Sequence, residues 1–278
     1  MIKIYCEDCV ETMKNGHIPA HSVDMVITSP PYNNSRTSHT EYCMNTRNCR
    51  YGLYDDNKPN DEYCQWICDI FMGYDKILKE NGVVLFNMSY GSENPMVMFD
   101  CIHAICHNTP FMVADLITWK KRSALPNNVS PNKCTRICEY VYVFCRVNEY
   151  DTFNASKAVK SISSVGQKFY ESTLFNFIEA DNNDGSNNLN NAAFSSELVR
   201  KLIEMYAPVG MSNGDITVYD NFMGTGTTAF VCNALGINCY GSEIDPAQVE
   251  YAQNRLNGFT PAVIRSGDKF TRFAWDIE

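Results

Sequence analysis

Two short stretches of this 278-residue chain combine residue types that could do chemistry. The first is Ser29-Pro30-Pro31-Tyr32, directly after an apolar run over residues 23–28. An exocyclic amine on a purine or pyrimidine is a poor nucleophile, because its lone pair is delocalised into the ring. Acceptors that hold the amino hydrogens pull the nitrogen toward a tetrahedral geometry and free that pair. The Ser29 hydroxyl and the Pro30 carbonyl are two such acceptors, and the prolines fix the backbone so that the carbonyl is aimed in advance. Tyr32 adds a ring on which a base turned out of its helix could stack. The amine would then attack an activated methyl group directly, with proximity supplying much of the rate and no cysteine nucleophile required. By itself, Pro-Pro-Tyr also fits a rigid turn or a polyproline-type ligand.

The second stretch is Asp220-Asn221-Phe222-Met223-Gly224-Thr225-Gly226-Thr227-Thr228. A strand over 215–219 delivers a Gly-x-Gly turn to the start of a helix, where glycines let the backbone approach a ligand closely. The next strand reaches Glu243, and 243 − 220 = 23 residues, which positions an acid to accept from ribose hydroxyls. The stretch lacks the third glycine of a dinucleotide fingerprint and the Gly-Lys-Ser/Thr of a phosphate loop. Taken alone it also fits a tight strand–helix turn with no ligand.

The elements that must position these motifs alternate between strand and helix, which argues for a doubly wound α/β sheet. Strands are expected at 2–5, 23–28, 83–88, 111–119, 137–145, 215–219 and 238–244. Helices are expected at 61–79, stopped by Asn81-Gly82, and at 95–106, 195–206, 227–235 and 246–256, with Ser195 or Ser196 capping the third and Pro246 starting the last. A polar stretch over 33–60 reads as a mobile loop. Residues 148–191 change character and end in an Asn-rich run, 181–191, with nothing to bury, which is expected to be flexible.

Composition narrows the class. The net charge of −9 argues against a broad non-specific nucleic-acid coat but leaves room for a local basic groove. Candidates are Arg36, Arg47, Arg50, Lys120, Lys121, Arg122, Lys133, Arg136, Lys157, Lys160 and Lys168. No apolar run is long enough to cross a bilayer, and the acidic N-terminal segment is unlike a signal peptide, so no membrane association and an intracellular location are expected. The 13 cysteines are odd in number and sit mostly in apolar runs, as buried free thiols do. Cys6 and Cys9 form a lone C-x-x-C without a second pair, so no metal site is expected.

In order and content the two motifs resemble those of the β-class amino DNA methyltransferases, in which (D/N/S)-P-P-Y precedes F-x-G-x-G. The resemblance runs over nearly the whole chain. It implies a Rossmann-like, S-adenosylmethionine-dependent methyltransferase fold, a mostly parallel sheet with one antiparallel strand. It also implies a single domain over 1–278, with the catalytic half at 1–147, a short target-recognition insertion at 148–191 and the cofactor half at 192–278. The implied catalytic residues are Ser29, Pro30, Pro31 and Tyr32. The implied S-adenosylmethionine-binding residues are Asp8, Ser29, Phe194, Asp220, Phe222, Gly224, Thr225, Gly226, Thr227, Thr228 and Glu243. Asp8 resembles an acid that lies near the cofactor adenine, although Cys6-Glu7 precedes it where Gly is usual. Arg136-Ile137-Cys138-Glu139-Tyr140 resembles the strand after the catalytic half. Asn190-Asn191 replaces a common His-Pro, and Ser195 stands where Pro is common.

The implied partner is DNA, with relaxed or short sequence recognition, and a homodimer is expected because small enzymes of this class often pair. The target is N6 of adenine or N4 of cytosine: Ile27-Thr28-Ser29-Pro30-Pro31-Tyr32 resembles the N4-cytosine signature, yet both bases present the same N–C=N edge. Rival readings are an RNA or protein-glutamine methyltransferase, in which the cofactor motif usually comes first, and a non-catalytic DNA-binding protein on the same fold.

Overall fold

The computed structural model describes residues 1–34, 53–91, 93–123, 130–172, 174–184, 193 and 195–258. Among them, ten strands run in chain order as β1 (Ile2–Tyr5), β2 (Val23–Thr28), β3 (Leu78–Met88), β4 (Phe111–Lys121), β5 (Cys138–Arg146), β6 (Val159–Ile162), β7 (Lys168–Tyr170), β8 (Phe177–Ala180), β9 (Thr217–Asp220) and β10 (Asn238–Ser242). The helices are α1 (Cys9–Lys14), α2 (Asn60–Ile77), α3 (Val97–Asn108), α4 (Ser196–Tyr206), α5 (Thr227–Leu235) and α6 (Pro246–Leu256). Eight strands form one sheet in the order β1-β10-β9-β2-β3-β5-β4-β8, and β6 and β7 make a separate hairpin. Every neighbouring pair in the large sheet is parallel except the two that involve β5. The sheet is therefore mostly parallel with one reversed strand, as the family resemblance implies.

Strand β2 is buried at all six positions. A strand with helices over both faces has no solvent side, so it reads as a continuous apolar run rather than an alternation. One face carries Val23, Val26, Val84 and Phe86 against Ile67, Phe71 and Tyr74 of α2. There Phe71 meets Phe86, Phe111 and Phe144 edge-on, with ring centroids 5.6, 5.5 and 5.0 Å apart. Edge-to-face rings at this spacing add about 0.5–1.5 kcal/mol per pair beyond area burial. The other face carries Met25, Ile27, Leu85 and Val218 against Leu198, Leu202 and Val231.

Strands β2 and β9 are neighbours, with Val26 opposite Tyr219. The strand order reverses between them: β3 continues on one side and β10 on the other. Ligands of open α/β sheets bind beyond the carboxyl ends of strands at such a switch point. Ser29-Pro30-Pro31-Tyr32 and Asn221–Gly226 follow these two strands directly, so both motifs come to the same rim.

Several sequence expectations need correction. Helix α2 ends at Ile77, not at Asn81-Gly82, and β3 begins at once. Asn81 instead sits within the strand at φ 60°, where the pairing register with β2 shifts between Val23 and Met25. The 148–191 segment contains β6, β7 and β8, and β8 extends the main sheet. Asp184, read as part of a flexible run, is fastened: it accepts from Ser196 N at 2.7 Å and from Arg255 at 2.6 Å. The described base of the 33–60 loop is pinned as well, because Asp56 accepts from Asn33 N and Asn34 N at 2.8 and 3.1 Å. The rest of that loop, 35–52, with Arg36, Arg47 and Arg50, lies outside the described residues, as do 185–192. Helix α1 was not anticipated; Asp8 caps it by accepting from Val10 N at 2.7 Å. Among the described residues, no helix is long and apolar enough to cross a membrane.

Candidate active site

The glycine turn after β9 is held from below by carboxylates. Asp220 is buried, and its two oxygens accept from Phe222 N at 3.2 Å and from the Thr228 hydroxyl at 2.6 Å. Burial pushes its carboxyl up to about 7, with the charge of nearby Glu243 adding to the rise against the hydrogen bonds from Thr228 and Phe222 N. Glu243, at the end of β10, accepts from Gly224 N and from Asp245 N, both at 2.9 Å. Burial raises its carboxyl too. Each carboxylate oxygen has a second lone pair, so a ribose hydroxyl remains compatible with Glu243 in this position.

Gly224 and Gly226 have φ of 55° and 79°, which L side chains adopt only with strain. A Cβ on Gly226 would also stand 2.7 Å from Ala252 Cβ, so this glycine lets α5 and α6 close together. Thr225 and Thr227 are buried, and Thr227 accepts from Arg255 at 3.1 Å. Asp8 lies exposed at the end of β1, beside the end of β10, where Glu243 N donates to Tyr5 O at 3.1 Å. Phe194 lies outside the described residues.

Across the switch point, Tyr63 donates to the Pro31 carbonyl at 2.7 Å. The ring of Trp66, one turn further along α2, packs 5.8 Å from Tyr63 and 5.5 Å from Phe222. Tyr74 donates to Asn221 Oδ1 at 2.6 Å in a fully buried setting. One helix thus grips both motifs: Tyr63 holds the proline turn, Tyr74 the glycine turn, and Trp66 packs on both Tyr63 and Phe222.

Around Tyr32 a second group converges that sequence reasoning did not single out. The Ser29 and Tyr32 hydroxyls are 3.1 Å apart, and Tyr32 donates to Glu139 Oε2 at 3.3 Å. Asn87 Nδ2 donates to Tyr32 at 2.8 Å and to Glu139 Oε2 at 3.0 Å, while Asn87 Oδ1 is buried without a partner. Lys121 donates to Glu139 Oε1 at 2.5 Å and lies 4.9 Å over the Trp119 ring. These side chains meet because β5 runs backwards, so its start lies level with the ends of β3 and β4; Met88 is opposite Tyr140 and Trp119 opposite Glu139. A lone polar residue in an apolar run, as Asn87 is in 83–88 and Glu139 in 137–145, was the available signal.

The expected basic groove is partly consumed by ion pairs. Lys120 pairs with Glu179 at 2.8 Å, Lys121 with Glu139, and Arg122 with Glu197 at 2.6 Å. Arg136 lies over the Tyr90 ring at 5.1 Å and donates to the Tyr90 carbonyl. Lys133, Lys157, Lys160 and Lys168 are exposed. Among the described residues no group of three or more His, Cys, Asp or Glu could hold a metal ion, and every described cysteine is a free thiol.

A doubly wound sheet with a reversed strand, a carboxylate-braced glycine turn and a Ser-Pro-Pro-Tyr turn on one rim define a Rossmann-like methyltransferase. The chain belongs to the N6/N4 DNA methylase family, whose model matches residues 23–254. It is similar to the type II methyltransferase M.HinfI of Haemophilus influenzae, with 27% identity over 263 residues, 91% of this chain and 68% of that one. Its fold is similar to that of the cytosine-N4-specific PvuII DNA methyltransferase, with a TM-score of 0.67 at 17% identity, covering 98% of this chain and 90% of that one. It also resembles the M1.HpyAVI–SAM complex, with a TM-score of 0.57 at 22% identity, covering 92% and 100% of the two chains.

Proposed function

We propose that this protein transfers a methyl group from S-adenosylmethionine to the exocyclic amine of a base flipped out of DNA, N6 of adenine or N4 of cytosine. The observation that carries the proposal is the meeting of the two turns on one rim, joined by Tyr63, Trp66 and Tyr74 of a single helix. The acids at the strand ends suit the donor's chemistry. Burial raises both Asp220 and Glu243, a neighbouring carboxylate adds to each rise, and a cationic ligand close by would favour their charged forms. Asp8 and Glu243 would take the adenosine end. Ser29, Phe222, Gly224, Thr225 and Gly226 would line the cleft between the turns, and Phe194 is assigned to the cofactor by the family resemblance alone. Asp220, Thr227 and Thr228 act beneath it by bracing the turn.

When bound, S-adenosylmethionine supplies an electrophilic methyl on a sulfonium. The Ser29 hydroxyl and the Pro30 carbonyl hold the amino hydrogens, Pro31 fixes their spacing, and Tyr32 stacks the base. The segment 148–191 is assigned to the DNA. Its exposed hairpin carries Lys160, Lys168, Phe169 and Tyr170, and β8 brings its far end to the rim, with Ala180 opposite Lys121. A homodimer completes the proposal, and sedimentation of the purified protein tests that part.

Mass spectrometry of nucleosides from DNA incubated with protein and labelled S-adenosylmethionine tests the reaction. Labelled N6-methyladenine or N4-methylcytosine is expected, and which of them appears assigns the base. Ser29→Ala and Tyr32→Ala should abolish most transfer; full activity in both would defeat the mechanism. No labelled nucleoside, with cofactor binding also absent by calorimetry, would favour a non-catalytic DNA-binding role.

A further inference from the structure

We infer that Glu139 is a positioning residue for methyl transfer: it fixes the direction of a hydrogen-bond chain so that Ser29 accepts from the substrate amine rather than donating to it. The inference rests on Ser29 being the amine's acceptor, as proposed above.

A serine hydroxyl can point its proton either way. A proton aimed at an amino group opposes the two amino hydrogens, whereas a lone pair accepts one of them. The direction therefore matters to the chemistry, and the surroundings of Ser29 decide it. Glu139 is 18% exposed and ion-paired to Lys121, and a carboxylate only accepts. Tyr32 has one hydroxyl proton, and Glu139 Oε2 at 3.3 Å takes it. The Asn87 amide is oriented by the same carboxylate. Turned over, it would set its oxygen 3.0 Å from Oε2, acceptor against acceptor. As placed, it donates to Tyr32 as well, at 2.8 Å. The Tyr32 oxygen then has a lone pair left for Ser29 at 3.1 Å, and Ser29 must be the donor of that bond. Every proton in the chain points toward Glu139, from Ser29, Tyr32, Asn87 and Lys121 alike. The lone pairs of Ser29 are left for the amine.

Glu139→Gln keeps the shape but offers an amide N–H, which allows Tyr32 to turn and the chain to reverse. In single-turnover assays its transfer rate should fall at least about tenfold, while the KM for S-adenosylmethionine and for duplex DNA stays within twofold. Tyr32→Phe keeps the stacking ring and breaks the same chain, so it should show a similar loss. The double variant should be no slower than the slower single one, because both remove one device. Glu139→Gln at the wild-type rate, or losses that multiply in the double variant, would overturn the inference. If Glu139→Gln does not fold, Tyr32→Phe decides alone: wild-type speed overturns it, and a tenfold loss at unchanged KM sustains it. Failure of the underlying reading looks different: Ser29→Ala would then transfer at the wild-type rate, or the wild-type protein itself would yield no methylated base.

Discussion

Asp220 keeps a proton in the folded protein that the unfolded chain gives up. Its carboxyl moves from 3.8 to about 7 on folding, chiefly through burial, so between those two values the native state binds more protons than the unfolded one. Stability must therefore fall as pH rises through that window, and Glu243, raised in the same direction, adds to the slope. A tenfold change in a group's proton affinity on folding is worth about 1.4 kcal/mol, so the full effect is a few kcal/mol. Urea unfolding at pH 5 and pH 7.5 should show the wild type weaker at the higher pH and Asp220→Asn much flatter; parallel profiles would refute the burial argument. Gly226→Ala combines a strained φ of 79° with a clash on Ala252 and should cost roughly 2–5 kcal/mol, read as a lower urea midpoint at unchanged slope. Asp220 was readable in the sequence because its role is local, accepting from Phe222 N and Thr228 within eight residues, and the two glycines because a strand-to-helix turn at positive φ marks them. Glu139 was not, because its meaning comes from Lys121 on β4 and Tyr32 in the turn after β2, both distant from it in sequence.

Among the elements, α2 ties the two turns together through Tyr63, Trp66 and Tyr74, which have distinct tasks. Tyr74→Phe removes a buried bond to Asn221 and leaves that amide without its donor. It should destabilise the protein by about 1–3 kcal/mol and raise the KM for S-adenosylmethionine more than it lowers kcat. A fall in kcat alone would show that Tyr74 does not act through the glycine turn. The long helices and central strands were legible from periodicity because they bury one face or both. Three kinds of element were not. Helix α1 has only six residues, too few for a periodic signal, and it starts from a side-chain cap rather than an apolar stripe. The hairpin strands β6 and β7 are exposed at every position, so no alternation marks them. Strand β8 has four residues and alternates, but it lies among polar residues at the sheet edge.

Over the molecule as a whole the net charge is −9, and among the described residues Lys120, Lys121 and Arg122 are held in ion pairs, which points to the exposed lysines of the 148–191 segment as phosphate contacts. Replacing Lys157, Lys160 and Lys168 together with Gln should weaken duplex binding uniformly across sequences. It should also lower the salt slope of binding by about 2–3 and leave cofactor binding unchanged. An unchanged slope would remove the hairpin from the DNA-facing surface. The fold class was legible here because the order of the two motifs and the alternation of elements agree, whereas the place of β1 was not. That strand pairs with β10, Ile2 opposite Cys239, a separation of 239 − 2 = 237 residues. During synthesis at about 5–20 residues per second, the earliest strand waits roughly 10–50 s for its mate to be made. Until then the nascent chain has Ile2 and Ile4 uncovered and the half proposed to hold the methyl donor incomplete. A ribosome that stalls before β10 should release a fragment that quality-control proteases clear, rather than a smaller working enzyme.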